Sequence, residues 1–328
     1  MVLWCLLACA DPKTDSAAPA PDRVVEPLPL DDTLRMNHLQ LKGTHNSTHI
    51  EPDTVFDDSH RYTHPSITDQ LDLWGVRQLE LDLHWHLEDG LRTHHLTGID
   101  ERSTCPLFAD CLDELADWSD THPQHAPILV YLEFKDDDVD LISPDYGDLV
   151  DRWPDIEAAI TTALGRDRVL TPDDLRRGHP TLPEALAADG WPTLAEARGQ
   201  VVFSILDANH HRDAYLVDAP ALEGRLMFVR SDSPEDAFAA YFKDGSAEST
   251  LALTEAGFVT TSNVDGADQD PETLDAGWAA MGAAGLHHLA TDHAWPGATA
   301  SGRWLDLRPG CNPVTAPAEC TPELVDPY

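Results

Sequence analysis

Residues 79–83 read Leu79-Glu80-Leu81-Asp82-Leu83, an alternation of apolar and acidic side chains. Successive side chains of a β-strand point to opposite faces, so the two carboxylates share one face and the three leucines share the other. In a closed barrel the acidic face is turned to the interior. Two inward carboxylates are costly unless a cation compensates them, and the pattern therefore predicts a bound cation.

Apolar runs of strand length recur along the chain and alternate with amphipathic stretches of helical periodicity. The predicted strands are Leu39–Thr44, Arg77–His84, Ile128–Phe134, Val201–Leu206, Leu226–Arg230, Phe258–Ser262 and His287–Thr291. The predicted helices are Ile67–Trp74, Leu107–Trp118, Ile156–Leu164, Leu182–Ala188, Glu235–Phe242 and Thr273–Ala283.

This alternation favours an α/β fold with a single parallel barrel, a distorted TIM (β/α)8 barrel, over two separate domains. An open, doubly wound sheet is the alternative. Such a sheet would place a glycine-rich phosphate-binding turn after its first strand, and residues 43–47, Gly-Thr-His-Asn-Ser, lack that glycine pattern.

The chain of 328 residues has 59 acidic and 21 basic side chains, which gives a formal net charge of -38. Nucleic-acid backbones are bound by surfaces rich in lysine and arginine, so we expect no nucleic-acid partner. We interpret most of the carboxylates as a solvated surface, and a chemical role is expected only for those at strand ends.

The first residues form a short apolar run that ends in Leu-Leu-Ala-Cys at Cys9 and resembles the cleavage site of a bacterial lipoprotein. An Ala-, Pro- and Asp-rich stretch follows and is typical of a tether. We therefore predict a leader and tether over residues 1–30 and a barrel domain over residues 31–328. We predict that the protein is exported, either as a cell-envelope lipoprotein anchored at Cys9 or as a secreted protein. A fortuitous apolar N-terminus is the alternative.

Four further cysteines lie in two close pairs, Cys105 with Cys111 and Cys311 with Cys320. An even count in an exported chain predicts two disulfides, and proximity favours pairing within each pair over crossed pairing. A zinc site is disfavoured because neither pair has the two-residue spacing of a metal knuckle.

Polar side chains also stand at the ends of the first and third predicted strands. His45 and Asn46 follow the first strand, and Glu133 and Lys135 end the third. Four of the strand-end residues offer the hard oxygen ligands that calcium or magnesium prefers: Asn46, Glu80, Asp82 and Glu133. The alternative is an acidic surface on edge strands.

A second histidine, His95, lies between the second and third predicted strands. Phosphodiester transfer needs one imidazole to deprotonate a hydroxyl and another to protonate the leaving alkoxide, and His45 and His95 are the candidates. Most of the other histidines among the 17 are interpreted as structural or exposed, including His49, His60 and the pair His210 and His211.

Five segments together resemble one known family. These are Gly43–Ser47, the strings Gln70–Asp72 and Gly75–Asp82, the stretch from His95 to Asp100 before Cys105, and Leu132–Lys135. In this order they look like the calcium-dependent phosphoinositide-specific phospholipase C enzymes of the bacterial type, over roughly residues 37–140. The resemblance implies a distorted TIM barrel that cleaves a phosphodiester through attack by a neighbouring hydroxyl, which yields a cyclic phosphate.

The resemblance also implies roles for individual residues. His45 looks like the residue that stabilises the phosphorane and protonates the leaving group, and His95 looks like its partner across the phosphate. Calcium would be held by Asn46, Glu80, Asp82 and Glu133. Lys135 resembles a cation that binds the substrate phosphate, with a surface salt bridge as the alternative.

The second half of the chain matches less closely. Residues 258–265 lack the arginine that close relatives would be expected to carry at this strand end, and Asp292 follows the predicted closing strand either as a site residue or as an ordinary turn residue. We expect a monomer. Its expected substrate is a phospholipid or another phosphodiester, and its expected partner is a membrane surface. The rival functions are a glycerophosphodiester phosphodiesterase and a catalytically silent surface binding module.

Overall fold

The structure is a computed structural model, and it describes residues 27–136, 144–243 and 245–328. The strands in these ranges are β1 (Leu39–Thr44), β2 (Val76–His86), β3 (Gly90–Thr93), β4 (Ile128–Phe134), β5 (Tyr146–Gly147), β6 (Val201–Ile205), β7 (Phe228–Ser231), β8 (Tyr241–Lys243), β9 (Val259–Asn263), β10 (His288–Thr291) and β11 (Gly310–Cys311). Residues 1–26 of the predicted leader and tether, with the lipid-anchor candidate Cys9, fall outside the described residues.

The α-helices of the described ranges are α1 (Ile67–Asp72), α2 (Phe108–Thr121), α3 (Trp153–Leu164), α4 (Pro172–Arg176), α5 (Leu182–Asp189), α6 (Leu194–Ala197), α7 (His210–Leu216), α8 (Ala247–Glu255), α9 (Pro271–Ala283) and α10 (Pro322–Val325). None of the helices within these ranges combines the length and the apolar character that a bilayer crossing requires.

Eight parallel strands close into a barrel in the order β1, β2, β4, β6, β7, β8, β9 and β10. Closure occurs at β1, where Gly43 pairs with Gln78 of β2 on one side and with Ala290 of β10 on the other. The predicted TIM barrel is therefore confirmed. Strand β2 continues beyond the barrel, where it pairs antiparallel with β3 and β5.

One predicted helix is wrong. Residues 235–242 were predicted to be helical, but Tyr241–Lys243 forms β8, which completes the barrel between β7 and β9. The strand is only three residues long, so its side-chain alternation is too short to show in the sequence. The apolar run before it has helix-like spacing, and the two neighbouring strands impose the extended conformation.

The barrel has an apolar lower half and a charged upper half. Leu79, Leu81 and Leu83 face outward and are fully buried in the layer between the barrel and its helices. Leu41, Leu129 and Tyr241 are among the residues that surround a small void at the amino-terminal end of the barrel. The inward carboxylates consequently lie toward the carboxyl ends of the strands.

Both local disulfides predicted from the sequence are formed. Cys105 is bonded to Cys111, and Cys311 is bonded to Cys320. The first pair joins the segment before α2 to that helix, and the second fastens the segment after β11, which itself pairs with β1.

Candidate functional site

All seven predicted site residues lie at the carboxyl end of the barrel, on or directly after β1, β2 and β4, or in the segment after β3. The β2–β4 register places Asp82 directly opposite Glu133. His45 and Asn46 follow β1, and the peptide nitrogen of Ser47 donates to the carbonyl of Glu80 at 2.8 Å. This contact ties the turn after β1, one residue beyond Asn46, to β2 at Glu80.

His45 is held between two carboxylates. Its Nδ1 lies 2.8 Å from Oδ1 of Asp292, and its Nε2 lies 3.7 Å from Oε1 of Glu80. Burial lowers the pKa of His45, but Asp292 and Glu80 outweigh that effect and raise the pKa to about 9. At neutral pH this imidazole is therefore protonated and can donate a proton.

Asp292 is itself held in place by the backbone. Its Oδ2 accepts from the peptide nitrogen of Ala267 at 3.0 Å, and its own peptide nitrogen donates to Asp265 at 2.9 Å. Asp292 therefore sets which nitrogen of His45 faces the barrel mouth. The sequence left Asp292 open between a site residue and a turn residue, and the structure places it against His45.

Asn46 adopts a left-handed backbone conformation with φ of 43°, which asparagine tolerates better than most residues. Its amide nitrogen donates to the hydroxyl of Tyr62 at 2.8 Å. This bond fixes the amide so that Oδ1 is the free end, and Oδ1 is buried without a hydrogen-bond partner among the described residues.

Glu80, Asp82 and Glu133 each offer a carboxylate oxygen within 4.8 Å of the others. Glu80 and Asp82 are almost fully buried, and Oε1 of Glu80 and both carboxylate oxygens of Asp82 have no hydrogen-bond partner in the described part of the chain. Burial, together with the charges of Glu133 and Glu80, raises the pKa of Asp82 well above its usual range despite the nearby Lys135.

These unpartnered oxygens fit a hard divalent cation. Three carboxylates and one amide oxygen are the donor set that calcium prefers, and buried polar atoms without partners are uncommon unless a ligand satisfies them. Asn46, Glu80, Asp82 and Glu133 are thus able to hold calcium.

Two lysines lie beside the carboxylates. Nζ of Lys135 is 2.7 Å from Glu133 and 3.6 Å from Asp82, and Nζ of Lys243 is 3.6 Å from Glu80. Burial lowers the pKa of Lys135, but the charges of Asp82 and Glu133 outweigh burial. The net effect raises the pKa above the usual range for lysine. Lys135 therefore stays charged at the mouth, and its role toward a substrate phosphate stays a prediction.

His95 is anchored by a buried carboxylate. Nδ1 of His95 lies 2.9 Å from Oδ2 of Asp100, and the same oxygen lies 2.8 Å from Nε2 of His49 and 3.4 Å from Nδ1 of His60. Burial, together with the charge of Lys135, lowers the pKa of His95 below its usual value. At neutral pH this imidazole is uncharged and can accept a proton.

The two histidines therefore differ in protonation, as an acid and base pair requires. Ring contacts connect them through the site: His95 with His49, His49 with Tyr62, and Tyr62 with His45. The sequence reasoning missed the supporting roles of Asp100, His49, His60, Tyr62 and Lys243. Asp100 lies within the motif from His95 to Asp100. The other four residues reach the site through the paths of their loops and strands, and no local sequence pattern predicts those paths.

A closed parallel barrel with paired histidines and a hard-oxygen cluster at its carboxyl end defines a phosphodiesterase of the phospholipase C class. The family described as phosphoinositide phospholipase C, Ca2+-dependent, matches residues 34–91 and 85–310, and this chain belongs to that family. The predictions of family, fold and enzyme class are thereby confirmed.

Solved structures share the fold. The chain is 22% identical to a Ca2+-dependent phosphatidylinositol-specific phospholipase C from Streptomyces antibioticus, with 79% of this chain and 94% of that chain covered at a TM-score of 0.55. It is 16% identical to a calcium-dependent phosphoinositol-specific phospholipase C from a Pseudomonas species, with 84% and 96% covered at a TM-score of 0.58. A search of curated proteins finds no match.

Proposed function

We propose that this protein is a calcium-dependent phospholipase C that cleaves a phosphoinositide by acid and base catalysis through a cyclic phosphate. The observation that carries the proposal is that buried, unpartnered oxygens of Asn46, Glu80 and Asp82 share the barrel mouth with His45, which lies 3.7 Å from Glu80 and 2.8 Å from Asp292. The coarser activity, phosphoinositide phosphodiester cleavage, follows from the family.

Asn46, Glu80, Asp82 and Glu133 would hold calcium. When bound, calcium would neutralise the charge that develops on the phosphate. The rest of the chemistry is assigned to the side chains of this chain.

His95 is the proposed base. Its Nδ1 is engaged by Asp100, so Nε2 takes the proton of the inositol hydroxyl next to the phosphate. The hydroxyl oxygen forms a new bond to phosphorus, and the bond from phosphorus to the diacylglycerol oxygen breaks. The products are a cyclic inositol phosphate and diacylglycerol once the leaving oxygen is protonated.

His45 is the proposed acid. Asp292 binds its Nδ1, which leaves Nε2 and its proton toward the mouth, on the side of Glu80. That proton passes to the leaving alkoxide. Because His45 is cationic beforehand, it also stabilises the negative charge of the pentavalent phosphorus.

The substrate contacts are proposed from the charges at the mouth. Lys135 and Lys243 are partly exposed cations beside the carboxylates, and they are able to bind phosphate or head-group oxygens once calcium neutralises Glu80 and Asp82. The inositol head group is supported by the Pseudomonas enzyme, for which a myo-inositol complex is described. Its fold covers 84% of this chain.

A lipid surface is the proposed partner. Phe56, Leu87 and Ile99 are 74%, 62% and 46% exposed, and they lie on segments after β1, β2 and β3 near the barrel mouth. Apolar side chains on such loops are able to enter the interfacial region of a bilayer. Export, with the lipid anchor at Cys9, remains part of the proposal, and the two disulfides fit an oxidising compartment.

One observation favours a second candidate, a glycerophosphodiesterase. The net charge of -38 repels anionic lipid surfaces, whereas a soluble deacylated diester can reach the barrel by diffusion. The two candidates differ in substrate and product.

The test is hydrolysis of phosphatidylinositol vesicles and of glycerophosphoinositol, each with calcium or with a chelator, followed by phosphorus NMR. The proposal predicts a calcium-dependent cyclic phosphate from the lipid and no such product from the His45→Ala variant. Glycerol phosphate released from the soluble diester would favour the second candidate. Turnover of the lipid that survives chelation would overturn the calcium proposal.

A further inference from the structure

A second group of metal-binding side chains lies beside the barrel mouth and has no part in the proposed reaction. It consists of Asp136, Asp148, His210 and His211, called here the Asp136 cluster. Asp136 follows β4 by two residues, Asp148 directly follows β5, and the two histidines begin α7. Three separate segments of the chain therefore converge on it.

The geometry is that of a small polar centre. Nε2 of His211 lies 2.9 Å from one carboxylate oxygen of Asp136, and Nε2 of His210 lies 3.1 Å from the other. The two rings are 4.1 Å apart. One ligand atom from each of the four residues lies within 4.8 Å of the other three.

His211 provides an independent observation. Its side chain is 0% exposed and packs edge-on against Phe134. Its Nε2 lies 2.9 Å from Asp136, within the cluster, and its Nδ1 is buried without a hydrogen-bond partner among the described residues. A buried imidazole that is only partly satisfied is therefore aimed into the cluster.

An ion-pair interpretation accounts poorly for this arrangement. Ion pairs from both histidines to Asp136 would need two protonated imidazoles whose rings are 4.1 Å apart, and these repel one another. Neutral imidazoles can donate to Asp136 instead, but Nδ1 of His211 is then still buried without a hydrogen-bond partner among the described residues. A divalent cation instead binds both imidazoles in their neutral form, and its charge is balanced by the two carboxylates.

The ligand types select the metal. Two imidazoles with two carboxylates suit zinc or a related transition metal, whereas calcium prefers oxygen ligands throughout. A tetrahedral zinc ion with bonds of about 2.0–2.2 Å separates its ligand atoms by about 3.3–3.6 Å. The observed cluster needs movements of roughly 1 Å to close to that size.

We propose that the Asp136 cluster is a structural zinc site that is distinct from the calcium site. Four protein ligands leave no open position, which is the arrangement of structural zinc. The zinc would join the segments after β4, β5 and β6 to one another. Its ligand Asp136 directly follows Lys135 in the chain. The zinc thereby holds that side of the barrel mouth in place.

The test is zinc binding to the full chain after chelator treatment and dialysis, measured by calorimetry and metal analysis, with cobalt absorption as a probe of tetrahedral coordination. We expect one zinc ion per chain, a tetrahedral cobalt spectrum, and a higher melting temperature with zinc. His210→Ala and Asp148→Asn should each weaken zinc binding by at least about tenfold. Both residues are exposed, so these variants retain the buried packing of His211.

Two control variants keep the result specific. His60→Ala alters the other histidine cluster, around Asp100, and Asp82→Asn alters the calcium ligands. Both controls should bind zinc as the wild type does. The proposal is overturned if the wild type binds no zinc, if His210→Ala and Asp148→Asn bind it unchanged, or if binding is lost in His60→Ala or Asp82→Asn instead. None of these outcomes depends on phospholipase activity.

Discussion

The two ends of the barrel both bury charge, but they treat it in opposite ways. At the amino-terminal end, Arg198 forms a two-pronged pair with Asp31 at 2.7 and 2.8 Å and also donates to the carbonyls of Gln124, Leu324 and Val325. At the carboxyl end, Glu80 and Asp82 are equally buried and keep oxygens without hydrogen bonds among the described residues.

The difference separates structural charge from functional charge. A buried ion whose hydrogen bonds are complete contributes to one defined fold, and it has no capacity left for a ligand. Nζ of Lys135 is 3.6 Å from Asp82, and Nζ of Lys243 is 3.6 Å from Glu80. At these distances the lysines reduce the repulsion among the carboxylates but do not complete the hydrogen bonds of Asp82 and Glu80. The mouth thus keeps the capacity that a cation needs.

The largest effect is expected for His45→Ala at the mouth. Losing the acid should lower kcat of the folded protein by about a hundred- to ten-thousand-fold, and the free energy of unfolding should also fall because the buried Asp292 loses its partner. Turnover of phosphatidylinositol and urea unfolding check the two parts. His179→Ala is the matched control, since the side chain of His179 pairs with Asp189 in an exposed contact away from the mouth. Near-normal turnover in His45→Ala would remove this residue from the mechanism.

Arg198→Met at the opposite end should lower stability without lowering kcat. Removing one partner of a buried pair leaves Asp31 charged and unpaired, which is expected to lower the free energy of unfolding by about 3–5 kcal/mol. The folded fraction should keep its kcat, because Arg198 lies at the far end of the barrel. Urea unfolding measures the loss, and Arg177→Met, which breaks an exposed pair with Glu196, is the control. Equal stability of the two variants would contradict the comparison.

The sequence predicted the strand-borne carboxylates of the mouth better than the loop contacts that surround them. The alternation at residues 79–83 is local, so it was sufficient to place Glu80 and Asp82 on one inward face, and the closed barrel confirms that placement. The strand β8 was missed because its extended form is imposed by pairing with β7 and β9. The contacts of Asp292 with His45 and of Asp100 with three imidazoles join loops far apart in sequence, and no pattern within either loop specifies them.

Asp82→Asn sharpens the comparison within the mouth itself. The raised pKa of Asp82 means that folding favours its protonated form, so the stability it contributes is lost as the pH rises above its ordinary value of 3.8. In chelator at neutral pH, the asparagine variant should therefore be more stable than the wild type, by about 1–3 kcal/mol, and the gap should widen with pH. Urea unfolding at several pH values measures this.

Calcium should reverse the order for Asp82→Asn, because the wild type gains more stability from the ion than the variant does. Glu133→Gln is the matched control. Glu133 is paired with Lys135 at 2.7 Å, so its removal should not stabilise the protein in chelator. A wild type that is the more stable protein in chelator would show that Asp82 is not a strained carboxylate.

The smallest effect is expected for Asp292→Asn, a mouth carboxylate that is paired as the charges at the other end are. Asp292 is the main reason that the pKa of His45 is raised to about 9. Without that charge, the basic limb of the pH profile of kcat should move from near pH 9 toward the ordinary value of 6.5, with little change at lower pH where His45 is protonated in both proteins.

Asp100→Asn is the counterpart. Asp100 raises the pKa of His95 against the effect of burial, so its loss should move the acidic limb to lower pH and leave the basic limb in place. A shift of the same limb in both variants would contradict the assignment of His45 as acid and His95 as base.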